Sequence, residues 1–228
     1  MKKIIVITGG SDGFGEASAN ILANENDVIL LARNEERLKK ISKKLGCSYY
    51  VCDVTNYIQM ENVVEQIIEK FGRIDVLINN AGIIVEGLLQ DNKSEDIINT
   101  INVNTTGTIL MTKVVLPTMI KQNSGLIINV ISQGGLKARA ERSVYNASKW
   151  AITGFNKSLQ LEVSKNNIRI TGFFPGKLNT NMFEKIGLHK DMEDALGVEK
   201  VAQALKFVVD ADDEVLIPEF GMINIKRK

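Results

Sequence analysis

The stretch Thr8-Gly9-Gly10-Ser11-Asp12-Gly13-Phe14-Gly15 follows the apolar run 4–7 and leads directly into a helix-like stretch at 16–19. A strand, a glycine-rich turn and a helix N-terminus together are typical of a phosphate-binding site, because glycines let backbone N–H groups approach the ligand and the helix dipole favours its negative charge. The spacing is T-G-x-x-x-G-x-G and not G-x-G-x-x-G, since reading from Gly13 puts Ser18 in the third position. We predict a nucleotide site; the alternative is a tight turn that holds no ligand.

Outward from this turn, short apolar runs alternate with longer amphipathic stretches along the whole chain. This alternation is typical of a parallel sheet covered by helices on both faces. We therefore predict one α/β domain over residues 1–228, a Rossmann-type doubly wound fold with a mostly parallel sheet of seven strands. The predicted strands are 3–8, 27–31, 48–51, 74–78, 125–130, 168–173 and 215–217. The predicted helices are 13–23, 35–45, 58–71, 95–119, 144–163 and 198–210.

Composition limits the classes of partner. The chain has 228 residues, 44% hydrophobic and 24% charged, which is typical of a globular protein and argues against collagen, a disordered tail and a coiled coil. Its net charge of +1 gives no strong positive field for nucleic acid or anionic lipid. No apolar run approaches the roughly 18 residues that cross a bilayer. We expect small molecules and other protein chains as partners, with no nucleic acid and no membrane.

The two cysteines, Cys47 and Cys52, lie five positions apart around a predicted strand. An odd separation in a strand points the two side chains to opposite faces. We expect reduced thiols in a cytoplasmic protein; a metal pair or a disulfide is the alternative.

The glycine motif and several later segments resemble the classical short-chain dehydrogenase/reductase family. The similarity covers nearly the whole chain, and most matching segments lie at the carboxyl ends of successive predicted strands, where ligands bind in open α/β sheets. The matching segments are Asp53-Val54, Asn79-Asn80-Ala81-Gly82, Asn104-Thr105-Thr106-Gly107, Ser132, Tyr145-Asn146-Ala147-Ser148-Lys149 and Pro175-Gly176-Lys177-Leu178-Asn179-Thr180.

The resemblance implies an NAD(P)-dependent oxidoreductase that interconverts a secondary alcohol and a ketone, with Tyr145 as general acid and base. A free phenol has a pKa near 10, and Lys149, one helical turn later, places a positive charge that favours the phenolate. The resemblance implies that Ser132 donates a hydrogen bond to the substrate oxygen. It also implies that Asn104 perturbs its helix and holds a water linking Lys149 to solvent. Taken singly, each residue also has an ordinary structural explanation.

The remaining matching positions are implied to bind the dinucleotide. Asn79 is the exception, because its implied role is a structural bridge to the sheet. The implied cofactor contacts are Gly9, Ser11, Asp12, Gly13, Phe14, Gly15, Arg33, Asp53, Val54, Asn80, Ala81, Gly82, Tyr145, Lys149, Pro175, Gly176, Leu178 and Thr180. For Asp53 and Thr180, helix capping is the alternative role.

The end of the second predicted strand bears on the choice of cofactor. Ala32 stands where an acidic residue would bond the ribose hydroxyls of NAD, and Arg33 follows with a guanidinium suited to a 2′-phosphate. NADP is therefore favoured over NAD. One departure counts against it, because Asp12 occupies a position that is basic in many NADP-preferring relatives.

The substrate is less defined. The family places a mobile substrate lid at residues 181–196, which contain the only histidine, His189, with no partners at metal-ligand spacing, so we predict no metal site. The loop carrying Lys137, Arg139 and Arg142 is either a site for an acidic substrate or a solvated loop. The C-terminal segment 214–220 resembles members that act on small polar hydroxy acids and lacks the glycine-rich ending of the fatty-acyl-reductase type.

Assembly and activity both leave alternatives. The helical stretches 104–119 and 144–163 pair with their copies in family dimers and tetramers, so we expect a homodimer or homotetramer. Trp150 then lies either at such an interface or in the core. The rival to an enzyme is a non-catalytic nucleotide-sensing regulator of the same fold, which has no need to keep Ser132, Tyr145 and Lys149 together.

Overall fold

A computed structural model describes residues 2–225 of the chain, which contain a seven-stranded sheet. Its strand order is β3-β2-β1-β4-β5-β6-β7, and every neighbouring pair is parallel. The strands are β1 Ile4–Thr8, β2 Asp27–Ala32, β3 Ser48–Val51, β4 Val76–Asn79, β5 Gly125–Val130, β6 Ile168–Pro175 and β7 Glu219–Met222. The chain reverses its direction across the sheet between β1 and β4, which opens a crevice at their carboxyl ends.

Helices fill the connections between the strands, so the predicted Rossmann-type α/β fold is confirmed. They are α1 Gly13–Leu22, α2 Glu35–Leu45, α3 Tyr57–Phe71, α4 Ser94–Ile101, α5 Gly107–Gln122, α6 Ser143–Val163 and α7 Val198–Asp210. Asn34 and Asn56 cap α2 and α3, each accepting a backbone N–H with its side chain, and Gly46 and Gly72 end these helices in the left-handed conformation.

The strands are apolar along their length because side chains alternate between two buried layers. Ile5 and Ile7 pack with α1, α2 and α7, whereas Ile4 and Val6 pack with α3, α5 and α6. The cysteines also lie on opposite faces of the sheet. Cys47 packs against the layer formed with α1, α2 and α7, Cys52 lies in the layer formed with α3, α5 and α6, and both are free thiols.

The last strand differs from the prediction of 215–217. It forms at Glu219–Met222, immediately after Pro218, whose carbonyl accepts the Gly172 N–H. The buried Arg169 side chain donates to the carbonyls of Ala211, Asp212 and Val215, which holds residues 211–215 as a loop just before the apolar residues 215–217. That long-range capture prevents the segment from pairing where its composition favours a strand.

The predicted helix 95–119 is also interrupted. A π-helical turn at Asn102–Thr106 separates α4 from α5. The Asn104 side chain bonds both the N–H and the carbonyl of Ile83. Because this contact joins residues far apart in the chain, the local spacing of apolar residues does not reveal the interruption. Among the helices in residues 2–225, none is both long and apolar enough to span a membrane.

Three buried asparagines connect the middle of the sheet to α5 and α6. Asn79 Nδ2 donates to Asn129 Oδ1 at 2.8 Å and to Thr112 Oγ1 at 3.0 Å, and Asn129 Nδ2 donates to Asn156 Oδ1 at 2.6 Å. This chain bridges β4 and β5, which supports the structural role expected of Asn79. Buried amides of this kind contribute to stability mainly because leaving them unpaired is costly.

Replacing Asn129 by Ala should lower the free energy of unfolding by about 2–4 kcal/mol, because it leaves one N–H of Asn79 and the Asn156 carbonyl oxygen unpaired and opens a cavity. Urea denaturation measures this change. The exposed Asn24→Ala variant is the control and should lie within about 0.5 kcal/mol of the parent. Equal stabilities of the two variants would contradict the assigned role of the asparagine chain.

Candidate active site

The glycine loop packs so closely against its neighbours that side chains have no room. Gly9 and Gly13 have φ values of +66° and +53°, and a Cβ on Gly15 would lie 2.3 Å from the Gly9 carbonyl oxygen. The Asp12 side chain makes no N-cap hydrogen bond to α1, although its carboxylate accepts a hydrogen bond from the Gly13 backbone. This backbone cradle at a helix N-terminus fits a phosphate or pyrophosphate group.

Segments after β4 and β1 are joined directly. The Thr8 hydroxyl accepts the N–H groups of Asn80 and Ala81, each at 3.0 Å. In return, Asn80 Nδ2 donates to the carbonyls of Thr8 and Gly9 at 3.0 and 3.2 Å. In this structure the Asn80 side chain therefore supports the glycine loop, and Gly82 lies deeper, beside Asn104 and Lys149.

Asp12 connects the glycine loop to two other segments. Its carboxylate accepts from Arg37 of α2 and from Lys185 of the predicted lid, each at 2.7 Å, and from Asn181 at 3.3 Å. Burial raises the pKa of Asp12, but the hydrogen bond and charge of Lys185, with hydrogen bonds from Asn181 and the Gly13 backbone, outweigh it and hold the pKa below its usual value. Arg37 was not singled out from the sequence, because one more basic residue on an exposed helix is unremarkable.

The predicted adenine end of the site lies at the carboxyl ends of β2 and β3. Arg33 is mostly exposed and faces Asp53 at 3.9 Å. Asp53 Oδ1 accepts from the backbone and hydroxyl of Thr55, so it shapes the turn before α3, which Asn56 caps. Val54 is buried, and its carbonyl lies where a Cβ on Gly107 would collide.

Ser132 and Tyr145 meet at the end of β5. Ser132 has a φ of +119°, a strained conformation for a non-glycine residue, and its hydroxyl accepts the Gly134 N–H at 3.1 Å. Burial raises the pKa of Tyr145; a hydrogen bond from the Ser132 side chain and the charge of Arg142 act in the opposite direction without cancelling it. The strained turn aims the serine at the tyrosine.

Lys149 is buried one turn after Tyr145, with its Nζ 5.9 Å from the centroid of the tyrosine ring. The ammonium donates to the Val130 carbonyl at 3.0 Å. Burial lowers the pKa of Lys149 to about 8. The two predicted catalytic groups thus share one desolvated region, but in this structure the lysine bonds the backbone and not the phenol.

Asn104 lies in the π-helical turn, as expected of a residue that perturbs its helix. Its Nδ2 donates to the Ile83 carbonyl at 2.9 Å and to the Ser148 hydroxyl at 3.0 Å, and its Oδ1 accepts the Ile83 N–H at 2.8 Å. The side chain therefore fixes the loop after β4 against α6, the helix that carries Tyr145 and Lys149.

The segment after β6 closes one side of the site. Gly176 N–H donates to the Met222 carbonyl, and Leu178 pairs with Leu196 across the base of the predicted lid. The Thr180 side chain lies 3.4 Å from where a Cβ on Gly13 would stand, which brings it to the glycine loop. Pro175 is the last residue of β6.

A cavity of about 240 Å³ lies within this segment, lined by residues 179–181, 183, 184, 188–190 and 192. Phe183, Leu188 and Met192 form an apolar cluster with Tyr145 and Ile84. His189 lines the same cavity. Across residues 2–225, no group of three or more His, Cys, Asp or Glu side chains is arranged to hold a metal ion.

Glu86, beside this cluster, was missed by the sequence analysis. Its buried carboxylate pairs with Arg142 Nη2 and with Lys190 Nζ, each at 3.1 Å. Nothing local marks it, because the loop that carries it has no regular pattern. Of the three basic residues between Ser132 and Tyr145, only Arg142 is drawn into the site; Lys137 and Arg139 are exposed.

The chain is similar to known proteins in sequence and in overall structure. Residues 3–191 match the family model described as short chain dehydrogenase. The chain is 34% identical to Carbonyl reductase family member 4 of Xenopus tropicalis, over 97% of this chain and 98% of that protein. It is 37% identical to the 3-oxoacyl-acyl-carrier-protein reductase FabG of Thermotoga maritima, over 93% and 91%. An alcohol dehydrogenase structure from the archaeon Thermococcus sibiricus, complexed with 5-hydroxy-NADP, has a TM-score of 0.92 at 27% identity, covering 100% and 99%.

The buried Lys149 charge predicts a pH-dependent difference in stability. Because its folded pKa is about 8 and its ordinary value 10.5, the unfolded chain binds more protons between these pH values, so the stability that Lys149 contributes rises with pH through that window. From pH 7 to 10.5, the parent should gain on the order of 3 kcal/mol in unfolding free energy relative to Lys149→Met. Urea denaturation at both pH values measures it.

Lys165, exposed after α6, supplies the control for that experiment. Urea denaturation of Lys165→Met at the same two pH values gives the reference for removing a lysine from the surface. A difference between the parent and Lys149→Met that does not change with pH would show that the Lys149 charge is not desolvated.

Proposed function

Because the chain belongs to the short-chain dehydrogenase/reductase family of oxidoreductases, we propose that it interconverts a secondary alcohol and a ketone with NADP as cofactor. The observation that carries the proposal is the meeting of Ser132, Tyr145 and Lys149 in one desolvated region at the carboxyl ends of the strands, beside a glycine loop with the shape of a phosphate cradle. A nucleotide sensor of the same fold has no use for this side-chain combination.

The glycine loop would hold the pyrophosphate, and Thr180 lies close enough to this loop to contact the nicotinamide end. The bound cofactor would supply or accept the hydride. Tyr145 gives its proton to the carbonyl oxygen as that oxygen gains charge, and takes it back in the reverse direction. Ser132 donates a hydrogen bond to the same oxygen.

Lys149 and Asn104 act on Tyr145 and on the local structure. A protonated Lys149 favours the phenolate, and a pKa near 8 keeps the lysine able to exchange its proton close to neutral pH. Asn104 holds the loop after β4 against the helix of Tyr145, so it keeps the reacting groups in register.

Arg33 supports the choice of NADP. The side chain is exposed at the end of β2 next to Ala32, and no carboxylate of β2 itself stands there to repel a 2′-phosphate. Many NADP-preferring relatives have a basic residue at the position of Asp12. Here the Asp12 carboxylate forms ion pairs with Arg37 and Lys185, which compensate its negative charge. The archaeal alcohol dehydrogenase that is similar in structure was solved with an NADP derivative.

The proposal extends to the remaining architecture. The chain would form one domain, and residues 181–196, which line most of the cavity, would act as the substrate lid. Copies of the chain would pair through α5 and α6 in a homodimer or homotetramer, and these helices expose the large apolar side chains Ile120, Trp150 and Leu161.

Replacing Tyr145 by Phe should lower kcat for ketone reduction by about 100-fold to 10,000-fold, because the proton donor is lost, while the Kd for NADPH changes little. Absorbance at the reduced-nicotinamide band gives kcat, and fluorescence titration gives Kd. Tyr49→Phe, on β3 away from the site, is the control and should retain full activity. Near-parental turnover in Tyr145→Phe would refute the assigned chemistry, and absence of turnover in the parent with tight NADPH binding would favour the sensor.

Replacing Arg33 by Ala should weaken NADPH binding about 10-fold to 100-fold, because a charge-assisted bond to the 2′-phosphate is lost. NADH lacks that phosphate, so its Kd should change less than about twofold. Lys43→Ala, an exposed charge removal on α2, is the matched control. If both nucleotides weaken equally, Arg33 does not read the phosphate.

A further inference from the structure

Glu86 is a buried carboxylate held between two cations. Its side chain is 5% exposed, and Arg142 Nη2 and Lys190 Nζ approach its two oxygens at 3.1 Å each. Burial raises the pKa of Glu86, but the bonds and charges of Lys190 and Arg142 outweigh it and keep the group ionised. Two positive charges and one negative charge leave the cluster with an excess of one positive charge.

This cluster borders the reacting groups. Arg142 occupies the N-cap position of α6 without a side-chain capping bond, three residues before Tyr145, and its charge acts on the tyrosine. The guanidinium lies 5.2 Å from the Phe183 ring centroid, and Phe183 packs with Tyr145 and lines the cavity. Lys190 lines the same cavity. The excess charge therefore lies at the wall of the cavity, next to the Phe183 ring that packs on the proposed proton donor.

Arg142 also has hydrogen-bonding capacity that Glu86 does not use. Both of its bonds to Glu86 come from Nη2, at 3.1 and 3.3 Å. Its Nε is buried and has no partner within residues 2–225. A buried N–H without an acceptor is costly, and a guanidinium matches a carboxylate with two parallel bonds. Lys190 bonds one oxygen and has further donors.

We propose that Arg142 and Lys190 bind the carboxylate of a small oxo or hydroxy acid and so select its class as substrate; this inference rests on the proposed function. The second carboxylate neutralises the excess charge and gives the guanidinium an acceptor. Glu86 holds both cations in place before the substrate arrives, and its own charge limits the site to a singly charged group. A neutral ester, amide or thioester at the same position offers no such compensation.

The direct test compares acids with their matched amides: 3-oxobutanoate with 3-oxobutanamide, and 4-oxopentanoate with 4-oxopentanamide. The parent should reduce at least one acid with a kcat/KM about tenfold or more above its amide. Arg142→Gln should lower kcat/KM about 10-fold to 100-fold more for the acid than for the amide, mainly through KM, because the loss of its charge beside Tyr145 affects both substrates alike. Lys190→Gln, in the lid segment, should act in the same direction.

Two further variants separate recognition from structural support. Arg139→Gln removes an exposed charge from the same loop and should leave both substrates unchanged. Glu86→Gln places an amide NH2 group against one of the two cations and loosens their placement, so it should raise KM for the acid about 3-fold to 10-fold and change the amide by less than about twofold. If the cluster only supports the fold, Glu86→Gln impairs acid and amide alike, and the inference is overturned.

A binding measurement without turnover keeps the inference separate from the proposed reaction. Calorimetry on the protein saturated with NADPH compares 3-hydroxybutanoate with 3-hydroxybutanamide, neither of which NADPH can reduce. Tighter binding of the acid, lost in Arg142→Gln, supports the inference even if no ketone is reduced and the proposed reaction fails. Equal binding of acid and amide overturns the inference, including when neutral ketones are reduced normally.

Discussion

The close approach of the chain segments that follow β1 and β4 is the constraint on which the site depends. The Thr8 hydroxyl accepts two N–H groups from the β4 end, and the Asn80 amide returns bonds to Thr8 and Gly9. This contact requires glycine at position 15, because a Cβ there would lie 2.3 Å from the Gly9 carbonyl oxygen. Since the backbone itself forms the cradle, its shape is fixed before any ligand binds, which reduces the entropy lost on binding.

Much of the fold follows from local sequence because strand alternation and glycine turns are local properties. The segments that differ are those whose structure a distant side chain determines. Arg169 holds residues 211–215 as a loop through three carbonyls, and Asn104 joins its helical turn to Ile83. The residues Ser132, Tyr145 and Lys149 were identified by their order along the chain, whereas Glu86 needed the fold, since only the fold brings it to Arg142 and Lys190.

The electrostatics of the site were the least predictable part. Spacing on a helix predicts that Lys149 lies near Tyr145, and it does, but spacing says nothing about desolvation. In the structure, burial lowers the pKa of the lysine to about 8 and raises that of the tyrosine. Desolvation disfavours each charged form on its own, so the phenolate and the ammonium become accessible mainly as a pair, when each supplies the counter-charge of the other.

Two similar ion-pair clusters attach the segment 181–196 to the rest of the site. In each cluster a carboxylate pairs with one lysine of the segment and with one arginine from elsewhere in the chain. Lys185 pairs with Asp12 at the glycine loop, and Lys190 pairs with Glu86 beside Tyr145. Lys185 is about half exposed, so its pair contributes only about 0.2–1 kcal/mol, whereas Glu86 is buried and depends more strongly on its partners. Because both ties are ionic, a bound anion at either end changes the balance of charge that holds the segment.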